Sequence, residues 1–191
     1  PWEVTHGEGE VPPEGITLFG VNEAEGEVLD DMPLYWGVDG QGHVVWYWQD
    51  EEANHDQNDR DIKQLADGRF LVSLKAQHRV IEPWGELVHE IPGGNFHHDV
   101  IHLGEDRYAG LQVLKSDYEV EAFGGLVTVR GDRIREVDTD GSFHWTWVAF
   151  DWLNTQNFPT ALSQKPGKQD GSYDWTHANG LFYLPDRGSF L

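Results

Sequence analysis

The residues best suited to chemistry lie in the segment DWTHANG (174–180), just before an apolar run at 181–184. Within it, Trp175, His177 and Asn179 are spaced two residues apart. Because a β-strand alternates its faces with period two, an extended segment would place these three side chains on one face. An imidazole beside a carboxamide can bind an anion or transfer a proton. We therefore take His177 and Asn179 as candidate catalytic residues, against the alternative of a histidine with a structural role in a turn.

The same pattern occurs 80 positions earlier in the chain. HANGLFYLPDR (177–187) aligns without a gap with HHDVIHLGEDR (97–107), which places His97 opposite His177 and Asp99 opposite Asn179. The sequence pattern at the start of this polar strand thus occurs twice in the chain. If the fold is also a repeat, we expect His97, His177 and Asn179 to lie at equivalent positions and to converge.

The net charge excludes one class of function. The chain has 34 acidic and 13 basic residues among 191, giving a formal net charge of -21. Nucleic-acid phosphates would be repelled, so we expect no nucleic-acid partner. Dispersed acids with only five lysines suit either a protein adapted to high salt or an ordinary acidic secreted protein.

Other classes of site are excluded by composition. The chain has no cysteine, so disulfides and thiolate metal sites are not available. No stretch approaches 18 consecutive apolar residues, so we expect no membrane span. The first residues, PWEVTHGEGE, do not resemble a signal peptide.

A glycine turn followed by an alternating aromatic strand recurs three times. The units are VDGQGHVVWYW (38–48), IEPWGELVHEI (81–91) and VDTDGSFHWTW (137–147), and their glycines are 43 and then 56 residues apart. Each unit is typical of a β-hairpin. The Trp pairs at 46/48 and 145/147 have the spacing of one strand face, and we interpret them as core.

Four strands recurring at roughly 40–50 residues indicate the blades of a β-propeller. The prediction is an all-β fold with four-stranded antiparallel blades, about three of them within 15–191, after an extended lead-in at 1–14. We expect one short helix at 150–155 with Asp151 as N-cap, and a long polar excursion at 154–173. Closed propellers need at least four blades, so we expect a partial propeller, whose open blade edge would favour pairing with a second copy as a homodimer.

These motifs resemble the bacterial-type arylsulfotransferase family, the PAPS-independent aryl sulfate sulfotransferases. The resemblance rests on GITLFG (15–20), the first and third glycine-turn units, FHHDV (96–100) and DWTHANGL (174–181), which is similar to the family's DW-x-H-x-N signature. It covers roughly residues 15–191 and the N-terminal half of the family's propeller. It implies six blades in the full-length protein and a periplasmic or secreted location.

The resemblance also implies a reaction, in which a sulfuryl group moves from a phenolic sulfate to a phenol through a sulfohistidine, with no cofactor. His177, Asn179 and one of His97 and His98, with His97 favoured by the alignment, would bind and polarise the sulfate. Trp175 and Tyr173 would offer flat surfaces for an aromatic donor. The family's arginine and nucleophilic histidine would follow Leu191, so this chain alone would be inactive.

Two other interpretations compete with this one. Histidines and acids such as His97, His98, Asp99 and His102 are of metal-ligating types. However, adjacent histidines on a strand point to opposite faces, and we expect no metal. The acid-rich NHDQNDRD (54–61) lacks the glycine and distal glutamate of a calcium loop. The second alternative is a non-catalytic propeller that serves as a binding or interaction scaffold.

Overall fold

The structure is a computed structural model that describes residues 14–21, 34–49, 61–74, 77–92, 96–154, 156 and 170–191. The chain divides into two compact units, Pro1–Glu90 and Ile91–Leu191. The predicted lead-in, the acid-rich loop at 54–61 and the excursion at 154–173 lie almost entirely outside the described residues.

The first unit contains two antiparallel sheets whose strands follow chain order. One has three strands, namely β1 (Ile16–Val21), β2 (Leu34–Asp39) and β3 (Val44–Gln49). The other has four strands, namely β4 (Asp61–Gln64), β5 (Phe70–Leu74), β6 (Gln77–Ile81) and β7 (Leu87–Glu90). The alternating apolar residues of these strands form one core, built from Tyr35, Ile62, Phe70, Val72 and Ile81.

The second unit contains a larger sheet and a small hairpin. Its antiparallel strands are β8 (Phe96–Gly104), β9 (Arg107–Val120), β10 (Gly125–Asp138) and β11 (Phe143–Val148), and β12 (Tyr173–Asp174) pairs with β10 in parallel. The hairpin is formed by β13 (Tyr183–Leu184) and β14 (Ser189–Phe190). A single-turn helix, α1 (Ala149–Trp152), follows β11.

The three glycine-turn units are hairpins, as predicted. In the first, Asp39 N donates to His43 O at 3.0 Å and Gly42 N donates to Asp39 O at 2.9 Å, and the same two bonds recur around Gly85 and Gly141. The three glycines have φ of 82°, 95° and 88°. Glycine adopts this left-handed conformation without a steric penalty, which explains the recurrence.

The tryptophans of the two pairs differ in burial. Trp46, Trp48 and Trp147 are partly buried and pack against core clusters, as predicted. Trp145 is 43% exposed and stacks on Phe190 with ring centroids 5.4 Å apart, so the interpretation of Trp145 as a core residue is wrong.

The prediction of an all-β fold is confirmed, and two of the sheets have four consecutive antiparallel strands. No sheet closes on itself within the described ranges. The expected helix is present, but the proposed cap is wrong, because Asp151 lies inside α1 and Val148 occupies the N-cap without a side-chain hydrogen bond. No described helix has the length and apolar character needed to cross a membrane.

Candidate active site

The first histidine pair lies at the start of β8, where the strand is irregular. The register between β8 and β9 shifts after Phe96, whose buried ring occupies the space that a Cβ on Gly110 would need. His98 adopts φ 58°. This bulge places the His97 and His98 rings edge to face with centroids 4.9 Å apart. The expectation that the two histidines point to opposite faces is therefore wrong, because the backbone is not a regular strand here.

The second candidate segment is a loop, which we name the histidine loop (residues 175–182). It follows β12 and has no regular secondary structure. His177 adopts φ 44°, which interrupts the two-residue alternation of an extended chain. Trp175 is only 8% exposed, whereas His177 and Asn179 are exposed. The expectation of one shared face is thus wrong, because His177 has a left-handed backbone.

Two buried carboxylates hold the histidine loop. Ala178 N donates to Asp132 Oδ2 at 2.7 Å, and Leu181 N donates to Asp99 Oδ2 at 2.7 Å. Asp132 lies on β10 and Asp99 on β8, and they are 5% and 9% exposed. The short segment that carries Asn179 is therefore fixed on both sides by strands of the sheet.

Asp132 also contacts the first histidine pair. His97 Nε2 lies 2.9 Å from Asp132 Oδ1, while Thr176 Oγ1 donates to Oδ2 at 2.6 Å and accepts from Asp132 N at 2.9 Å. Burial raises the pKa of Asp132, but hydrogen bonds from His97, Thr176 and the Ala178 N–H outweigh it and lower the pKa below its ordinary value. Asp132 is thus an ionised link between β8 and the histidine loop.

The three histidines form a row. The ring centroids of His98 and His177 are 5.5 Å apart, so His98 lies between His97 and His177. The side chain of His97 is 15% exposed and that of His177 is 46% exposed. The row therefore runs from a buried end at Asp132 to a solvent-accessible end.

His177 has its own carboxylate partner. Its Nδ1 lies 2.5 Å from Oδ2 of Asp174, the last residue of β12. An ionised carboxylate only accepts hydrogen bonds, so the Nδ1 proton of His177 is held by Asp174 and Nε2 is left for other partners. This arrangement can donate to an anion or transfer a proton. No group of three or more metal-ligating side chains occurs in the described part of the chain.

The sequence profile of the arylsulfotransferase (ASST) family matches residues 16–191. The chain belongs to this family. No individual curated protein matches it. The matched range includes the second unit and most of the first, with the row of histidines and the two carboxylates that hold the histidine loop.

In this arylsulfotransferase chain, three predicted site residues are brought together and the others are placed differently. His97, His98 and His177 form the row, and Asn179 is exposed on the histidine loop. The internal alignment pairs His97 with His177, yet the left-handed backbone is shared by His98 and His177. The catalytic roles of these residues stay predictions.

The two aromatic residues proposed for substrate binding are packed against other rings. Tyr173 stacks on Phe123 with centroids 4.0 Å apart, and the buried Trp175 stacks on Phe150 at 5.5 Å. These contacts occupy a face of each ring. Their role as a substrate surface stays a prediction.

Sequence reasoning missed Asp132 and Thr176. Asp132 follows a glycine in the middle of a long strand, and it has the same parity as Ile134, which packs against a core cluster. An acid at an inward-facing strand position was the available signal, because buried charges are rare unless they are paired.

Proposed function

We propose that this chain forms the sulfate-binding part of an aryl sulfate sulfotransferase, which moves a sulfuryl group from a phenolic sulfate to a phenol. The observation that carries the proposal is the row of three imidazoles, with a carboxylate at each end, inside the range that matches the arylsulfotransferase family. His97, His98, His177 and Asn179 would hold and polarise the sulfate.

The chemistry requires donors aimed at developing negative charge. In sulfuryl transfer to a histidine, the new N–S bond forms as the S–O bond to the phenol breaks, and the phenolate leaves with the electron pair. The oxygen of the acceptor phenol then bonds to sulfur as the N–S bond breaks, the imidazole nitrogen keeps that electron pair, and the phenol proton passes to a neighbouring imidazole or to the first phenolate. Positioned N–H donors stabilise the sulfuryl oxygens and the leaving phenolate. His177, with its Nδ1 held by Asp174, is placed to donate from Nε2 when protonated.

We also propose that the sheets are blades of a six-bladed propeller. The consecutive antiparallel strands and the glycine turn repeated with the same two backbone hydrogen bonds support this proposal. The nucleophilic histidine and the arginine of the reaction would belong to the rest of the propeller. From the family resemblance we expect a periplasmic or secreted location, no cofactor, and an aryl sulfate and a phenol as small-molecule partners.

The test is turnover of a chromogenic aryl sulfate with a phenol as acceptor, using the protein in its full encoded length. His177→Ala and Asn179→Ala should each lower kcat/KM by ~10²–10³-fold, the usual cost of one preorganised donor. His43→Ala is the control, since that exposed histidine bonds within its own turn, to Asp39. Equal activity of His177→Ala and the wild type would contradict the proposal.

The second candidate is a propeller that serves as an interaction scaffold. Exposed apolar side chains on strands and in turns favour it, among them Trp84 at 73%, Leu126 at 68% and Tyr47 at 70%. A wild-type protein of full encoded length that transfers no sulfuryl group from several aryl sulfates would support the scaffold over the enzyme.

A further inference from the structure

Asp132 occupies a central position that the proposed reaction does not explain. Its side chain is 7% exposed, and it receives hydrogen bonds from residues 35, 44 and 46 positions away in the chain, His97, Thr176 and Ala178. It therefore connects the two segments that carry the candidate catalytic histidines.

The donors at its two oxygens differ in kind. Oδ2 accepts from the Ala178 amide and the Thr176 hydroxyl, and a backbone N–H can only donate. Oδ1 faces Nε2 of His97 at 2.9 Å. Since an ionised carboxylate has no proton to give, the proton of this bond belongs to His97 Nε2. In neutral His97 the lone pair is then on Nδ1.

We propose that Asp132 is the positioning residue of the site, which holds His97 in the Nε2–H tautomer and fixes the backbone of the histidine loop. The proposal rests on the proposed function insofar as His97 contacts the sulfate. Asp132 does not itself touch the substrate, because its oxygens are occupied by protein donors. A free Nδ1 on neutral His97 can accept a proton, and on protonated His97 it can donate to an anion.

The variant Asp132→Asn separates the two roles. The Asn carbonyl must take the place of Oδ2, because the Ala178 N–H and the Thr176 hydroxyl both need an acceptor there. The amide NH₂ then faces His97 Nε2, which must accept. We expect the loop contacts to persist and the His97 tautomer to change to Nδ1–H.

The matched control is Thr176→Val. It removes one donor from Oδ2 and the acceptor of the Asp132 N–H, but it leaves the contact between Oδ1 and His97, so we expect the tautomer to stay Nε2–H. The readout is the long-range ¹H–¹⁵N imidazole spectrum of the ¹⁵N-labelled full chain at alkaline pH, where imidazoles are neutral. The His97 signals are assigned as those lost in His97→Gln.

A wild-type His97 with its proton on Nδ1, or an Asp132→Asn variant that keeps the Nε2–H form, would overturn the proposal. If Asp132→Asn does not fold, which a thermal melt reveals, the wild-type and Thr176→Val spectra decide the tautomer.

Kinetics separate this inference from the function on which it rests. In serine proteases, the equivalent carboxylate-to-amide change lowers kcat by about 10⁴-fold because the histidine is left in the wrong tautomer. Here we expect kcat to fall ~10²-fold or more in Asp132→Asn and much less in Thr176→Val. A fully active Asp132→Asn with a changed tautomer would overturn the positioning role and leave the function standing. A wild type without turnover would overturn the function, while the spectra still decide what Asp132 does to His97.

Discussion

The hairpin turns and the histidine row require the same backbone conformation and meet the requirement with different residues. At the turns, Gly42, Gly85 and Gly141 have φ between 82° and 95°. At the site, His98 and His177 have φ of 58° and 44°. Two of the three non-glycine residues with positive φ in the described ranges are thus histidines of the row.

The comparison shows which residues adopt a backbone conformation that lowers the stability of the fold. A left-handed conformation costs a residue with a Cβ about 1–2 kcal/mol, and glycine avoids that cost. Strained backbone that persists in a folded protein is held by its surroundings and is concentrated at functional sites. At His98 and His177 the surroundings are the bulge in β8 and the carboxylates of Asp99 and Asp132.

The largest effect is expected when a turn is given a side chain. In Gly85→Ala, φ of 95° strains the new residue, and its Cβ would lie 2.8 Å from Cδ1 of Trp48, which packs against the core of the first unit. We expect a loss of ~3 kcal/mol in the free energy of unfolding, from strain and overpacking together. Urea unfolding followed by tryptophan fluorescence measures it.

Gly68→Ala is the matched control for that change. Gly68 has φ of 92°, and a Cβ at this position would meet no atom within 4 Å beyond its own chain neighbours. The variant should lose only the strain contribution, ~1–2 kcal/mol. Equal losses in the two variants would show that contact with Trp48 is irrelevant.

At the site we expect a smaller effect on stability, and glycine should again be more stable than alanine. His177→Gly and His177→Ala both remove the imidazole and its bond to Asp174, but only glycine relaxes the backbone at φ 44°. We expect the glycine variant to be more stable than the alanine variant by ~1 kcal/mol, and both to show the ~10²–10³-fold loss of kcat/KM expected on removal of the imidazole. Urea midpoints compare them directly.

The control pair for this prediction is His43→Gly and His43→Ala. His43 is exposed and lies outside the left-handed region. Glycine should therefore be the less stable of that pair, by roughly 0.5–1 kcal/mol. If glycine is no better than alanine at residue 177, the left-handed histidine is not strained.

The all-β class and the three hairpins were predictable because their signals are local. Each hairpin turn is specified within about five residues, by a glycine at a left-handed position and an alternating strand after it. The pairing of β6 with β7 follows from such a turn, since short connections join neighbouring antiparallel strands. Nothing outside each segment was needed for these predictions.

The site was predictable only in its histidines. Their residue types and their repetition in the sequence identified His97 and His177, but the left-handed backbone of His98 and His177 could not be read from the sequence, because only a few per cent of non-glycine residues adopt it. The link through Asp132 joins residues up to 46 positions apart and depends on the register of β8, β9 and β10. Register depends on how two strands pair, so the sequence of one strand alone does not determine it.

The smallest effect is expected on the stability of the protein at low pH. The carboxyl of Asp140, in a turn, is exposed, and its pKa is lowered mainly by the hydrogen bond from the Ser142 backbone N–H. At the site, burial raises the pKa of Asp132, but hydrogen bonds lower it by more. A group whose pKa is lower in the folded state stabilises the fold above its unfolded pKa, and this contribution is lost as pH falls through the folded pKa. For Asp132 the loss occurs below its ordinary value of 3.8.

Asp132→Asn presents the same acceptor to Ala178 and Thr176 at every pH. At pH 7 we expect it to be less stable than the wild type, because the charge-assisted bond to His97 is gone. As the pH falls below 3.8, the wild type loses its advantage and the two urea midpoints should approach each other. A gap that stays constant from pH 7 to pH 2 would mean that the ionised form of Asp132 contributes nothing to holding the histidine loop.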